Sequence, residues 1–213
     1  MAKGARRQKT GKRALLQPFQ PLFISWSGKR GLPVLTGVES RQLYPRLVRQ
    51  PLASAYYLSE LLFKFLHAND AHEGLFDAYD QALQELVDTD AIEAVLRCFE
   101  CALLSEVGYG LQLSHDANTH KPVDSTLRYF YYPEKGPVQT DSHFDQAATV
   151  SGKTLIALAN KMLDNQQVLK ESKHLLRMLL TRQIQGKAFR TRDVYAQMLT
   201  VSQTNQTVNR YVK

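Results

Sequence analysis

The chain has 213 residues, of which 44% are hydrophobic and 22% carry a charge, and its formal net charge is +7. These proportions are those of an ordinary globular protein, and they exclude collagen-like and fully disordered chains. No apolar run is long enough to cross a membrane and no secretory signal is recognisable, so we expect a cytoplasmic protein without a membrane partner.

The positive charge is concentrated at one end of the chain. Residues 1–50 hold eleven Lys and Arg residues against one acid, Glu39, a net +10, whereas residues 51–213 hold sixteen bases and nineteen acids, a net −3. A segment with such an excess attracts polyanions, because each cation placed on a phosphate releases condensed counterions. The distribution indicates a nucleic-acid partner, with a solvated basic tail as the alternative.

Residues 1–13, MAKGARRQKTGKR, form the basic segment. Its composition is typical of an exposed or disordered segment, and Gly4 and Gly11 allow the backbone to approach a phosphate closely. The candidate phosphate-binding residues are the six cations of this segment and two in a later turn: Lys3, Arg6, Arg7, Lys9, Lys12, Arg13, Lys29 and Arg30.

Two apolar runs follow, over about 15–26 and 33–43, on either side of the basic turn Gly28–Gly31. This arrangement predicts a β-hairpin. Aromatic side chains near the charge are candidates for stacking on bases, with the core of the small sheet as the alternative: Phe19, Phe23, Trp26 and Tyr44. For Phe19 and Phe23 we predict the core.

Beyond Pro51 the apolar residues recur with the helical spacing i, i+3, i+4, i+7. Segments 52–66, 74–87 and 91–110 predict three amphipathic helices, which together indicate a helical bundle. Asp88 or Asp90 is the candidate cap at the start of the third helix, and Gly108 or Gly110 marks its end.

Residues 111–150 interrupt the helical pattern with a polar loop, an aromatic strand LRYFYY and a turn over 133–136. Helices resume at 151–163, where Ser151 is the candidate cap, and at 168–185, with a shorter one over 191–199. We therefore predict an α+β protein with a basic β part (1–49), a helical domain (50–200) that contains the insert 111–150, and a polar tail (201–213).

Chemical motifs are few. Cys98 and Cys101 form CxxC, but zinc needs four ligands and a redox pair usually opens a helix, so we predict packed thiols. No P-loop, GxSxG or HExxH motif occurs, and we predict no enzyme activity, cofactor or bound metal. A metal-assisted enzyme using His115, Asp116 and His120 remains the alternative, and a scaffold that binds only proteins is another.

Arg97 lies in the apolar run VLRCFECALL. An arginine at the border of an apolar helix face can hold a carboxylate beside a hydrophobic pocket. The local pattern is equally compatible with a surface arginine whose stem lies along apolar neighbours.

Several blocks in this order resemble the RecO family of bacterial DNA repair and recombination mediators. They are AKGARR (2–7) with LQPFQPL (16–22), LRCFECALLSEVGYGLQL (96–113), KPVDSTLRYFYYPEKG (121–136) and LLRMLLTRQIQGKAFRTRDVY (175–195). The likeness covers nearly the whole chain.

The resemblance implies an N-terminal OB fold and a C-terminal helical domain. It also implies that the protein is not an enzyme that makes covalent bonds. It also implies binding to single- and double-stranded DNA, strand annealing, binding of the acidic C-terminal tail of single-stranded DNA-binding protein, and loading of RecA together with RecR. The basic segment then maps to the DNA surface and Arg97 to the tail's terminal carboxylate. A nucleoid-associated location follows.

Two departures from the family pattern lead to further expectations. The resemblance begins part-way along the OB fold, which normally has five strands, so we expect an incomplete barrel caused by a misassigned start or a truncation. The loop LSHDANTHKPVD lacks the four cysteines that bind zinc in some members, so we expect this chain to resemble the branch without zinc.

Overall fold

The computed structural model describes residues 12–28, 32–68, 70–140, 149–184 and 189–191, with the side chains of residues 12 and 13 excepted. The chain divides between Leu47 and Val48 into two compact units. Among the residues described, a small antiparallel sheet lies in the first unit and five longer helices lie in the second, which confirms the predicted α+β class.

The first unit is built on the predicted hairpin. A short helix, α1 (Lys12–Leu15), precedes strands β1 (Leu22–Ser27) and β2 (Val34–Ser40), which pair antiparallel with a register shift between Ser25 and Trp26. Both strands are shorter than predicted, and β1 begins late because Pro18 and Pro21 break the first apolar run. The Gln20 side chain closes the base of the hairpin by bonding both the backbone N–H and the carbonyl oxygen of Tyr44, at 3.0 and 3.1 Å.

The prediction that Phe23 lies in a core is wrong, since its side chain is 61% exposed. Trp26 is 63% exposed, while Phe19 and Tyr44 are half-buried. The described part of this unit holds two strands and the short helix α1, which contacts β2, and no second sheet packs on them. Its exposed aromatic rings are therefore available for contact with other molecules.

The predicted bundle is present in the second unit as α2 (Arg49–Phe65), α3 (Glu73–Asp88) and α4 (Ile92–Glu106), joined later by α5 (Gly152–Ala159) and α6 (Gln166–Gln183). Helix α4 packs against α2, α3 and α6. Leu58, Leu103 and Leu176 have no exposed surface, so the core lies where these helices meet. Within the described residues, none of the helices is both long and apolar enough to cross a membrane.

The N-terminal cap of α4 differs from the prediction, whereas its C-terminal end matches it. Neither Asp88 nor Asp90 caps the helix, because the cap residue is Ala91, whose N–H donates to the Thr89 hydroxyl at 2.9 Å. At the other end Gly108 has φ +84°, and the Tyr109 N–H reaches back to the Leu104 carbonyl at 2.7 Å. This left-handed glycine confirms the predicted helix stop.

The insert is more regular than the sequence indicated. It contains a three-stranded antiparallel sheet of order β4-β3-β5, with β3 (Arg128–Tyr132), β4 (Gly136–Gln139) and β5 (Val150–Ser151). The predicted aromatic strand is β3, and the predicted turn joins it to β4. The other two strands were missed because each is short and carries no alternating pattern.

Glu171 of α6 ties that helix to the sheet and to the start of α5. Its carboxylate accepts hydrogen bonds from the Ser151 N–H (2.9 Å) and the hydroxyls of Ser151 (2.7 Å) and Thr154 (2.8 Å), and it pairs with Arg128 at 3.2 Å. Ser151 is the N-cap of α5, as predicted. The predicted helix 191–199, except its first residue, and the tail 201–213 lie outside the described residues.

Candidate functional site

The second unit contains a groove of about 250 Å³ between α2, α4 and α6, with residue 191 at its edge. Its apolar lining comes from Ala53, Tyr57, Ile92 and Leu96. Its cations are Arg97, Lys173 and Arg177. Apolar surface beside positive charge is the composition that an apolar group bearing a carboxylate requires.

Arg97 is buried in this groove, with 4% of its surface exposed, so the alternative of a surface arginine is wrong. Its Nη2 atom donates to Glu100 Oε1 at 2.7 Å, and its Nη1 atom lies 3.6 Å from Glu93 Oε2. The Nε–H group has no hydrogen-bond partner among the described residues. A buried donor without a partner costs about 1–3 kcal/mol, and a ligand oxygen would satisfy it.

Glu100 holds the guanidinium in place from within the core. This carboxylate is 1% exposed, and the same Oε1 atom that accepts from Arg97 also accepts from the Tyr57 hydroxyl at 2.6 Å. The spacing from Arg97 to Glu100 is i, i+3, which places both side chains on one face of α4. The cation is thus oriented before any ligand arrives.

Two further residues lie at the mouth of the groove. Glu93, in the first turn of α4, pairs with Lys173 of α6 at 2.8 Å. Arg177, one helical turn after Lys173, is exposed and has no carboxylate partner among the described residues. The mouth therefore presents a cation that is free to meet an acidic ligand.

The edge of the groove is fixed by Glu60 of α2. Its carboxylate accepts from the Arg190 N–H at 2.8 Å and from the Thr191 N–H and hydroxyl at 2.9 and 2.6 Å. Burial alone would raise the pKa of Glu60, but these hydrogen bonds outweigh it and hold the pKa below its usual value. Phe189 packs edge-on against Tyr57, with 5.8 Å between ring centroids.

The predicted DNA-binding side chains all lie outside the described residues. Lys3, Arg6, Arg7, Lys9, Lys29 and Arg30 fall in undescribed segments, and Lys12 and Arg13 are described only as part of α1. Their DNA contacts stay a prediction. In the sequence, Phe23 and Trp26 lie between the two groups of basic residues, and the rings of both are exposed.

Cys98 and Cys101 are free thiols on α4. Burial raises the pKa of both, that of Cys101 to about 12. A thiol with a raised pKa is a poor nucleophile and a poor metal ligand at neutral pH, so the packed-thiol interpretation agrees with the structure.

The alternative metal site around Asp116 has no support among the described residues. Asp116 is buried, and its carboxylate accepts from the N–H groups of Asn118, Thr119 and Gln139 at 2.9, 2.7 and 2.6 Å. Burial raises its pKa, but these bonds lower it further than burial raises it. Within the described ranges no group of three His, Cys, Asp or Glu residues could hold a metal ion. The Asp116 carboxylate therefore stabilises the conformation of its loop through these hydrogen bonds.

Sequence reasoning found Arg97 but missed the residues that position it. Glu100 carried a signal, since a lone acid inside the apolar run FECALL and three residues from Arg97 indicates a buried pair. Glu93 carried a weaker one, four residues before Arg97. Tyr57 and Lys173 are distant in sequence and carried none.

Comparison with known proteins identifies a family and several relatives of this chain. Residues 48–193 match the family model described as "Recombination protein O C terminal", which spans every lining residue. The chain is 39% identical to a DNA repair protein RecO of Nitrosococcus oceani, over 93% of this chain and 80% of that protein. Proteins of the same description from Aromatoleum aromaticum and Dechloromonas aromatica are 37% and 39% identical, over 93% of this chain and 82% and 83% of theirs.

Proposed function

Because the chain belongs to the RecO family of DNA repair and recombination proteins, we propose that it acts as a recombination mediator and not as an enzyme. It binds single- and double-stranded DNA, anneals complementary strands, and helps RecR to load RecA. It is recruited by the C-terminal tail of single-stranded DNA-binding protein. It works in the cytoplasm, at the nucleoid.

Tail binding is supported above all by the buried Arg97 in an apolar groove. The groove accepts an apolar terminal side chain against Tyr57 and Leu96, while the terminal carboxylate takes the Nε–H donor of Arg97. Charge-assisted hydrogen bonds of this kind are roughly twice as strong as neutral ones, and exclusion of water strengthens them further. Acidic residues before the terminus meet Lys173 and Arg177.

Annealing is supported by the charge distribution. Cations of the basic segment bind two strands by their phosphates and reduce the repulsion between them, without reading bases. The exposed Phe23 and Trp26 rings offer stacking surfaces for unpaired bases. Recruitment and annealing thus use different residues.

Arg177→Gln tests the groove, because this exposed side chain has no partner among the described residues whose loss would disturb the fold. The ligand is a short fluorescent peptide with a run of aspartates and a free C-terminal phenylalanine, and binding is followed by fluorescence anisotropy. We expect affinity to fall about three- to tenfold, as for loss of one charged contact at an interface.

The matched control is Arg182→Gln, an exposed arginine of the same helix that pairs with Glu134 and does not line the groove. It should bind the peptide like the unchanged protein, and both variants should bind oligonucleotides normally. Equal losses in the two variants, or no loss in Arg177→Gln, would contradict the assignment of the groove.

A further inference from the structure

Glu93 places a carboxylate of the protein itself among the groove cations that an acidic ligand would meet. Its Oε1 atom lies 2.8 Å from Lys173 Nζ, and its Oε2 atom lies 3.6 Å from Arg97 Nη1. The Oε2 atom is buried and has no hydrogen-bond partner among the described residues. One side chain thus engages two of the three groove cations.

We propose that Glu93 is an intramolecular competitor that pairs with the groove cations Arg97 and Lys173 and must be displaced by an acidic ligand. The inference rests on the proposed function, since it concerns the same groove. A carboxylate that enters beside Arg97 meets the like charge of Glu93, and the repulsion is strong in a partly desolvated site. Binding therefore includes the exchange of one carboxylate for another.

Displacement of Glu93 is sterically and energetically feasible. The side chain is 38% exposed, so it can turn towards water. It lies in the first turn of α4, where the helix dipole stabilises a negative charge in either position. Its bond to Lys173 is an exposed ion pair, which contributes little to stability.

The exchange makes the groove selective for strongly acidic ends. A ligand with one carboxylate forms a contact with Arg97 but breaks the contact between Glu93 and Arg97, so its net binding free energy is small. A ligand with several acidic residues also occupies Lys173 and Arg177 and outcompetes Glu93. Discrimination of this kind arises from a repulsive element as well as an attractive one.

The test is Glu93→Gln, which keeps the size of the side chain and removes its charge. Its control is Glu85→Gln, an exposed acid of α3 that does not line the groove. Both are titrated with the aspartate-rich phenylalanine peptide and with the same peptide amidated at its C-terminus. We expect Glu93→Gln to bind the free-acid peptide about three- to tenfold more tightly, with a smaller gain for the amidated peptide, and Glu85→Gln to bind like the unchanged protein.

The outcomes separate the inference from the proposed function. If the unchanged protein binds the peptide but Glu93→Gln shows no gain, or Glu85→Gln gains equally, the competitor role is overturned while the groove assignment stands. If neither the unchanged protein nor Glu93→Gln binds, the proposed tail site is overturned and the inference with it. If circular dichroism shows that the Glu93→Gln variant is unfolded, Glu93→Ala is used in its place, because it also removes the carboxylate.

Discussion

At the scale of single residues, the groove depends on a charge pair that the protein core holds in place. Arg97 and Glu100 are 4% and 1% exposed, and the Tyr57 hydroxyl is the third member of the cluster. Desolvating both charges is costly, so the pair is not an efficient way to stabilise a fold. Its value is that the guanidinium keeps one orientation in an otherwise apolar groove.

Glu100→Gln therefore leaves the buried Arg97 without its close countercharge, with only the half-exposed Glu93 carboxylate at 3.6 Å. We expect the free energy of unfolding to fall by roughly 3–5 kcal/mol, the usual cost of removing one member of a buried pair. Tyr57→Phe removes the hydrogen bond to Glu100 and should cost about 1 kcal/mol. Urea denaturation followed by circular dichroism measures both, and a loss of under 1 kcal/mol for Glu100→Gln would show that the pair is not structurally required.

At the scale of elements, Glu171 determines how α6 is attached to the insert. One carboxylate receives bonds from β5, α5 and β3, so three elements depend on its negative charge. Burial would raise its pKa, but hydrogen bonds from Ser151, Thr154 and Gln167 outweigh that effect and hold the pKa at about 2. Since α6 carries Lys173 and Arg177, this attachment also positions one wall of the groove.

The lowered pKa of Glu171 predicts a pH dependence of stability. A carboxyl group whose pKa is lower in the folded state stabilises the fold above its unfolded value, here 4.5, and loses that contribution as pH falls towards about 2. Glu171→Gln should therefore lower the free energy of unfolding by on the order of 2 kcal/mol at neutral pH. Denaturation at a series of pH values checks this.

The difference between Glu171→Gln and the unchanged protein should shrink between pH 4.5 and about 2. The exposed Glu134→Gln, which removes a surface ion pair with Arg182, is the control and should change stability little. A difference for Glu171→Gln that is constant over this range would contradict the proposed linkage.

At the scale of the whole molecule, the charge is divided along the chain. The first 50 residues carry a net +10 and the remaining 163 a net −3. Contacts with phosphates are long-ranged and sensitive to salt, whereas the groove binds through partly desolvated contacts that salt screens less. The two proposed activities should therefore respond differently to ionic strength and to substitution.

Neutralising Arg6, Arg7, Lys9, Lys12 and Arg13 together to Gln should abolish annealing and weaken binding to oligonucleotides of any sequence. Because each phosphate contact contributes about 0.7–0.9 to the slope of log K against log salt, loss of these residues should flatten that slope by about 3–5. Gel shifts over a salt series and a strand-annealing assay measure the two effects.

A control with the same change in charge replaces five exposed lysines of the second unit by Gln: Lys121, Lys135, Lys153, Lys161 and Lys170. This variant should retain annealing and most DNA affinity. Annealing that survives neutralisation of the basic segment, or is lost equally in the control, would contradict the assignment of DNA binding to residues 1–13.

The helices were predictable because each has a local apolar period that survives in the fold. The hairpin was predictable from its glycine-rich turn. The exposure of Phe23 was not, because the sequence of a strand does not show which other element, if any, packs against its apolar face. Strands β4 and β5 were missed since pairing with β3, and not their own residues, makes them strands. The cap of α4 was misplaced because several polar residues compete within three positions.

The sequence by itself determined the α+β class, the helical periods, the uneven charge and the family, because these depend on local spacing or on sums along the chain. It also marked Arg97 as unusual. Only the tertiary structure decided that Arg97 is buried, that Tyr57 bonds Glu100 beside it, and that Glu93 meets Lys173. Those contacts join residues 43 and 80 positions apart, and such distant pairs are brought together by packing of helices, which no local pattern encodes.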